Sequence, residues 1–340
     1  EGYSVYFATE PLARMLWLTA HDIHPPLYYA LLHGWIALFG GAPTPIILRT
    51  FSVVLGALAV PALFVLGRTL FPRRPLLAWL AALLLTLSPM HLFYSQEVRM
   101  YALALLLGVL ASTCFAAMLQ ARSSRANTLL YWFFGTLLLY TLYYGALLLL
   151  AHAFSFGFLL WKGRDKRALS VPWRTVLAAW MGMLLAFLPW LLYALPKLIP
   201  YVAQKIVSDQ DTALNPLAYL ARHLNAFLAG HVVDQWGILQ WAVLVGIVGV
   251  LLLVGLLIVT TRSSTNRQST ALQQPHQYMS SIVRSEETPP HPVALLTAWL
   301  VVPILCAWFV SLLSPFLPDG GERLLLLVLP FFLLLIAWGS

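Results

Sequence analysis

Apolar stretches of about 20 residues recur along most of the chain, separated by short polar interruptions. A helix needs roughly 20 apolar residues to cross ~30 Å of hydrocarbon. By that measure the pattern predicts spans near 46–67, 76–94, 98–120, 127–144, 145–161, 174–195, 239–261, 292–313 and 324–338. The run at 26–40 is shorter and carries His33, Gly34 and two tyrosines. It reads as a helix lying at the membrane interface rather than crossing it. The expected organisation is a first outer loop with juxtamembrane helices over 1–45, with helical pieces near 8–20 and 26–40. A transmembrane core follows over 46–195. A second outer loop covers 196–238, where Pro196, Pro200, Asn215 and Pro216 act as breakers and 217–229 forms an amphipathic piece with Leu217, Leu220, Leu224 and Phe227 on one side. C-terminal spans occupy 239–340, with a polar, flexible and chemically idle loop at 262–291. The fold class is therefore all-α, a polytopic transmembrane helical bundle. The chain begins at Glu1 rather than Met, and at least one further span is expected before it.

One short polar segment interrupts this pattern in a distinctive way. Asp22-Ile23-His24-Pro25-Pro26-Leu27-Tyr28-Tyr29 sets a carboxylate and an imidazole two residues apart, ahead of two prolines. The prolines fix their own φ and bias His24 towards extended backbone. Asp22 and His24 are thus expected on a stiff, non-helical stretch, with a helix starting at Pro26. The plainer alternative is a capped interfacial helix with His24 at headgroup level.

Composition agrees with the hydropathy pattern. The chain is 61% hydrophobic and 9% charged, against roughly 25% charge in a soluble domain. Its net charge of +8 reports topology before it reports nucleic acid, and no nucleic-acid partner is expected. Basic clusters at 68–74, 122–125, 162–174 and 262–284 share one side when 26–40 does not span, which makes that side the cytoplasmic one. Nine of the 12 acids then fall on the opposite face with Asp22; only Asp165, Glu286 and Glu287 are inside. The extra-cytoplasmic face reads as the chemical one, and the basic inner loops fit a bacterial plasma (inner) membrane. Cys114 and Cys306 lie in apolar stretches and predict neither a disulfide framework nor a metal site.

A second polar cluster, Ser95-Gln96-Glu97-Val98-Arg99-Met100-Tyr101, lies at the outer end of one span and opens the next. Charges at membrane depth are costly, so they pair or serve a function. A solvated turn is the alternative. Arg323 stands at the mouth of the last span, where it is either an edge anchor or a ligand. Tyr143 and Tyr144 end a span.

These segments together resemble glycosyltransferase family 39. The resemblance is carried by Asp22-x-His24-Pro25-Pro26-Leu27-Tyr28-Tyr29, Leu48-Arg49-x-x-Ser52, Leu66-Gly67-Arg68-x-Leu70-Phe71, Leu87-Ser88-Pro89 and Tyr94-Ser95-Gln96-Glu97-x-Arg99-x-Tyr101. Tyr140-Thr141-Leu142-Tyr143-Tyr144-Gly145 is also similar, although His is common where Leu142 stands. Ser314-Pro315 to Arg323 resembles the stretch before the family's late span, with Leu324 in place of a usual Tyr. The branch it resembles is bacterial and dolichyl-phosphate-mannose-protein mannosyltransferase-like; the family also holds protein O-mannosyltransferases and the lipid A aminoarabinose transferase. The resemblance is dense over about 1–160 and sparse from there to about 310.

The resemblance implies a GT-C fold and inverting transfer of a sugar from a polyprenyl-phosphate donor on the outer face. The acceptor would be a protein, polysaccharide or lipid, and membrane lipids surround the site. The family's first outer loop opens with an Asp-Glu pair; Glu1 matches the Glu, and the Asp would stand immediately before it. That Asp, with Glu1 beside it, would serve as base. Asp22 would orient the acceptor or a metal, and His24 would support the sugar or phosphate. Glu97, Arg99 and Tyr101 would position the donor end, with Arg323 on the phosphate. Tyr28, Tyr143 and Tyr144 are assigned to substrate binding. No cofactor is expected to be required; a divalent metal is left open, although the spacing is no metal signature. The rival readings are a transporter or flippase for a lipid-linked glycan and a non-catalytic binder of one. A transport pathway needs polar groups through the membrane, and the mid-span positions here are nearly charge-free, with the polar groups crowded on one face.

Overall fold

The computed structural model describes residues 1–120, 124–162, 171–209, 213–230, 289, 291–313 and 321–339. Every regular element among them is a helix. Three short helices come first: α1 (Gly2–Thr9), α2 (Leu12–Ala20) and α3 (Leu27–Leu38). There follow α4 (Pro45–Leu70), α5 (Pro75–Leu87), α6 (Pro89–Gln96), α7 (Tyr101–Met118), α8 (Arg125–Thr141), α9 (Gly145–Lys162) and α10 (Trp173–Asp209). The last are α11 (Pro216–Ala229), α12 (Pro292–Leu313), a 3-10 segment (Gly321–Val328) and α13 (Leu329–Gly339).

Among the described residues, five helices are long and apolar enough to cross a membrane: Pro45–Leu70, Tyr101–Met118, Trp173–Gln204, Pro292–Leu312 and Gly321–Gly339. Helices α5 and α6 add a sixth if their pair, bent by 57° at Ser88-Pro89, counts as one span. The chain is thus a multi-pass helical membrane protein. The 12-residue α3 is too short to cross, in agreement with the sequence pattern. The pattern at 127–144 and 145–161 yields α8 and α9, of 17 and 18 residues, at the lower limit of spanning length. The expected span at 239–261 and the loop at 262–288 lie outside the described residues.

Three details differ from the expectation. The first loop holds three helices, because Glu10 and Pro11 are extended and split the 8–20 piece. Helix α10 runs through Pro189, Pro196 and Pro200 to Asp209, so the expected breakers at Pro196 and Pro200 do not end it, nor does a boundary fall at 195. A membrane helix tolerates such prolines where neighbouring groups re-satisfy the freed carbonyls. In α11, Leu217 and Leu220 are exposed, and the buried stripe is Tyr219, His223, Ala226 and Phe227. The Asn215 side chain accepts from the Ala218 N–H and Pro216 takes the first turn, so these two breakers act as a helix start.

Helix α7 is the axis of the bundle. All but three of its 18 residues are buried, and it packs against α4, α8, α9 and the 3-10 segment. Small residues set the close approaches: a Cβ on Gly67 of α4 would lie 2.9 Å from the Ala78 Cβ of α5. Cys114 and Cys306 are both free.

A chain of hydrogen bonds joins four helices inside this apolar core. The Trp180 indole N–H donates to the Tyr131 oxygen (3.0 Å), so the Tyr131 hydroxyl donates to His152 Nδ1 (3.1 Å). The Ser112 hydroxyl donates to the Gly108 carbonyl (2.7 Å), so His152 Nε2–H donates to Ser112 (3.0 Å). His152 is thereby a neutral, fully partnered imidazole, stacked on Phe115 with ring centroids 4.6 Å apart. Its role is structural. Replacing His152 by Phe orphans the Tyr131 hydroxyl, and an unmade buried hydrogen bond costs about 1–3 kcal/mol. The melting temperature of His152→Phe in detergent should fall by several degrees; unchanged melting would mean the chain of bonds contributes nothing net.

Charge is distributed asymmetrically along the bundle. The end carrying α1–α3 holds Glu1, Glu10, Asp22, Glu97 and Glu322. The far end, where α4 stops and α8 and α10 start, carries Arg68, Arg73, Arg74, Arg125 and Arg174 and no described acid.

Candidate functional site

Residues 21–26 form a non-helical segment between α2 and α3, as the two prolines require. The Asp22 N–H donates to the Thr19 carbonyl (3.2 Å), closing the end of α2, and the Ala30 N–H donates to the Pro26 carbonyl (3.0 Å), opening α3. Both ends of the segment are thus tied to helices. Within it His24 Nδ1–H donates to Asp22 Oδ2 at 3.2 Å. His24 is buried and the Asp22 side chain is 21% exposed. Burial pushes the Asp22 carboxyl up, but the hydrogen bond and charge of His24, the Ile23 N–H and Arg99 outweigh it and hold Asp22 below its ordinary value of 3.8.

That shift sets a stability window. A depressed folded value means the unfolded chain binds the extra proton, so the contribution is full above pH 3.8 and disappears as pH falls through the lower folded value. The melting difference between wild type and Asp22→Asn should therefore stay constant from neutral pH to about 5 and shrink only below about 4. A difference that fades between pH 7 and 5 would contradict the pairing.

The Asp22 segment forms one wall of a cleft of about 490 Å³. Arg99 and Tyr101, from the turn between α6 and α7, form a second wall, and Arg323 and Leu324, opening the 3-10 segment, a third. Tyr3 and Tyr6 of α1, His21 and Tyr201 of α10 complete the rim. Asp22, His24, Arg99, Tyr101 and Arg323, drawn from three separate stretches of the sequence, therefore meet in one place. Glu97 and Arg99 are tucked in rather than solvated, at 20% and 22% exposure and 3.9 Å apart. The Arg99 N–H donates to the Glu97 carbonyl at 2.8 Å, making a tight turn that turns both side chains inward. Buried Nε–H donors of Arg99 and Arg323 have no hydrogen-bond acceptor, nor does Glu97 Oε2 have a donor. The Arg323 guanidinium lies 5.8 Å from the centre of the Tyr101 ring. The cleft thus offers two cations with spare donors, one ionised carboxylate and an aromatic rim.

Other expected site residues lie beside the cleft and do not line it. Glu1 accepts from the Val98 N–H (3.2 Å) and from Arg49 Nη2 (3.1 Å), tying α1 to α4 and to the α6–α7 turn. Burial raises its carboxyl, but these two partners win and hold it below the usual range. Tyr28 is fully buried, its hydroxyl 2.9 Å from Ser52. The Tyr143 hydroxyl accepts from the Trp190 indole at 3.1 Å. Tyr144 packs half-buried against the core. No group of three or more His, Cys, Asp or Glu side chains forms among the described residues; Asp22 and His24 are the donors the cleft would offer a cation.

One polar arrangement next to the cleft is invisible in the sequence pattern. Glu322, 3% exposed, pairs with Arg222 of α11 across 100 residues of sequence. His223 beside it donates from Nδ1 to the Tyr219 carbonyl (2.9 Å) and leaves Nε2 buried without a partner. The available signal was an acid and a base at membrane edges, adjacent to Arg323 and within an amphipathic helix. Comparison with known protein families, curated proteins and solved structures finds no match for this chain.

Proposed function

We propose that the protein is an integral-membrane glycosyltransferase that moves a sugar from a polyprenyl-phosphate donor to an acceptor hydroxyl. On this reading the architecture is of the GT-C type, the cleft faces the extra-cytoplasmic side of a plasma membrane, and transfer is inverting. The observation that carries it is the convergence of Asp22, His24, Arg99, Tyr101 and Arg323 on one cleft at the end of an apolar bundle. The motif resemblance supports the same reading, and the all-basic far end supports the orientation.

The roles follow from the chemistry. A lipid-linked donor keeps its tail among the helices and presents its phosphate at headgroup depth. Arg99 and Arg323, with unengaged Nε–H donors, bind that phosphate and stabilise the charge it gains on leaving. Asp22, held ionised by His24, is a weak proton acceptor but a steady hydrogen-bond acceptor. It orients the acceptor hydroxyl, whose oxygen takes the sugar while its proton leaves with the departing lipid phosphate. Tyr101 and the rim tyrosines supply flat faces and hydroxyls against the sugar.

The direct test uses membranes carrying the full chain, supplied with radiolabelled polyprenyl-phosphate hexose or pentose, and follows label leaving the lipid. Acceptor-dependent release is expected. Lipid that is bound, or flipped across proteoliposomes, with no release for any sugar would replace transfer by the binding or transport reading.

A further inference from the structure

The far end of the bundle carries a second pocket, remote from the cleft and independent of the proposed transfer. It measures about 460 Å³ and is lined by Arg73, Arg74, Leu76, Leu77, Leu80 and Trp338, among others. The two arginines sit in the turn between α4 and α5, bounded by Pro72 and Pro75. Arg68 Nη1 donates to the Pro72 carbonyl (3.0 Å) and the Arg74 N–H to the Phe71 carbonyl (2.9 Å), which fixes the turn. Both arginines are exposed. Neither guanidinium meets a carboxylate among the described residues, and that end of the bundle has no described acid to offer.

We propose that this pocket is a binding site for the phosphate of an anionic glycerophospholipid in the leaflet at the far end. Two forked cations on a stiff turn match a phosphodiester. Leu76, Leu77 and Leu80 floor the pocket for the glycerol and upper acyl carbons. Trp338 sits where an indole anchors at the headgroup level. A zwitterionic headgroup brings its own cation and fits less well, so the occupant is a net-negative lipid rather than bulk bilayer.

The test is retention of lipid by the full-length protein purified in mild detergent, read by native mass spectrometry after equilibration with equal phosphatidylglycerol and phosphatidylcholine. Wild type should retain phosphatidylglycerol in preference. Removing two surface cations should lower that preference about thirtyfold in Arg73→Ala/Arg74→Ala, and equally in Arg73→Gln/Arg74→Gln if the alanine pair fails to fold. Arg174→Ala, an arginine at the same end but outside the pocket, should change nothing. Three results would overturn the proposal: unchanged retention in the double variants, an equal loss in Arg174→Ala, which would mean diffuse charge, or displacement of the lipid by millimolar glycerol 3-phosphate, which would mean a site for free phosphate.

Discussion

Arg323→Met is expected to lower sugar transfer by about 10²–10³-fold, the range seen when one preorganised group that stabilises developing charge is removed. The guanidinium opens the 3-10 segment at the cleft wall and keeps a buried Nε–H without an acceptor. A donor left unsatisfied in a buried site is a cost the fold bears, and the phosphate of a bound substrate would relieve it. Arg323→Lys should recover only part of the activity, because a lysine supplies charge without the planar fork. Melting of Arg323→Met reports separately what the guanidinium's contact with Tyr101 contributes to the fold. Label release within threefold of wild type would remove Arg323 from the site. Arg99→Met is expected to behave similarly, and its Glu97 neighbour at 3.9 Å should then make donor binding weaker as well as turnover slower.

Asp22→Asn is expected to cost about 10²-fold in turnover with little loss of donor binding. The substitution keeps the shape but removes the charge. It also lets the amide present N–H to His24 Nδ1, where a carboxylate now accepts at 3.2 Å, so the imidazole would turn or change tautomer. The separation of effects is the informative part. Arg323 acts on the phosphate and should move donor affinity and turnover together; Asp22 acts on the acceptor side and should move turnover alone. If Asp22→Asn releases label at the wild-type rate, Asp22 has no part in transfer.

The legible parts of this protein are those in which the determining residues are neighbours in sequence. Pro25 and Pro26 announce a stiff break between two helices, and the structure has it. For Glu97 and Arg99 the sequence leaves open a paired, tucked-in arrangement and a solvated turn, and they are tucked in, 3.9 Å apart. The shortness of 26–40 correctly excludes a crossing there. What was not legible depends on distant partners. Helix α10 runs on through three prolines, and local breaker residues do not show this. It thereby delivers Tyr201 to the rim of the cleft, a residue that a loop reading of 196–238 leaves unplaced. Tyr28, assigned to substrate binding, is the second residue of α3 and sits in the core with its hydroxyl on Ser52. Glu322 and Arg222 stand 100 residues apart, and nothing local marks either as the other's partner.

That last pair ties α11 to the 3-10 segment beside the cleft. Glu322 is almost completely enclosed, and its counter-charge rides on α11. Lifting α11 would strand a carboxylate in an apolar surround, at about 3–5 kcal/mol. A lifted form would then make up roughly one molecule in 10²–10³ or fewer. Helix α11 is therefore held fast against the 3-10 segment. The opposite side of the cleft rim, where Tyr3 and Tyr6 are exposed, can move without separating a buried ion pair among the described residues.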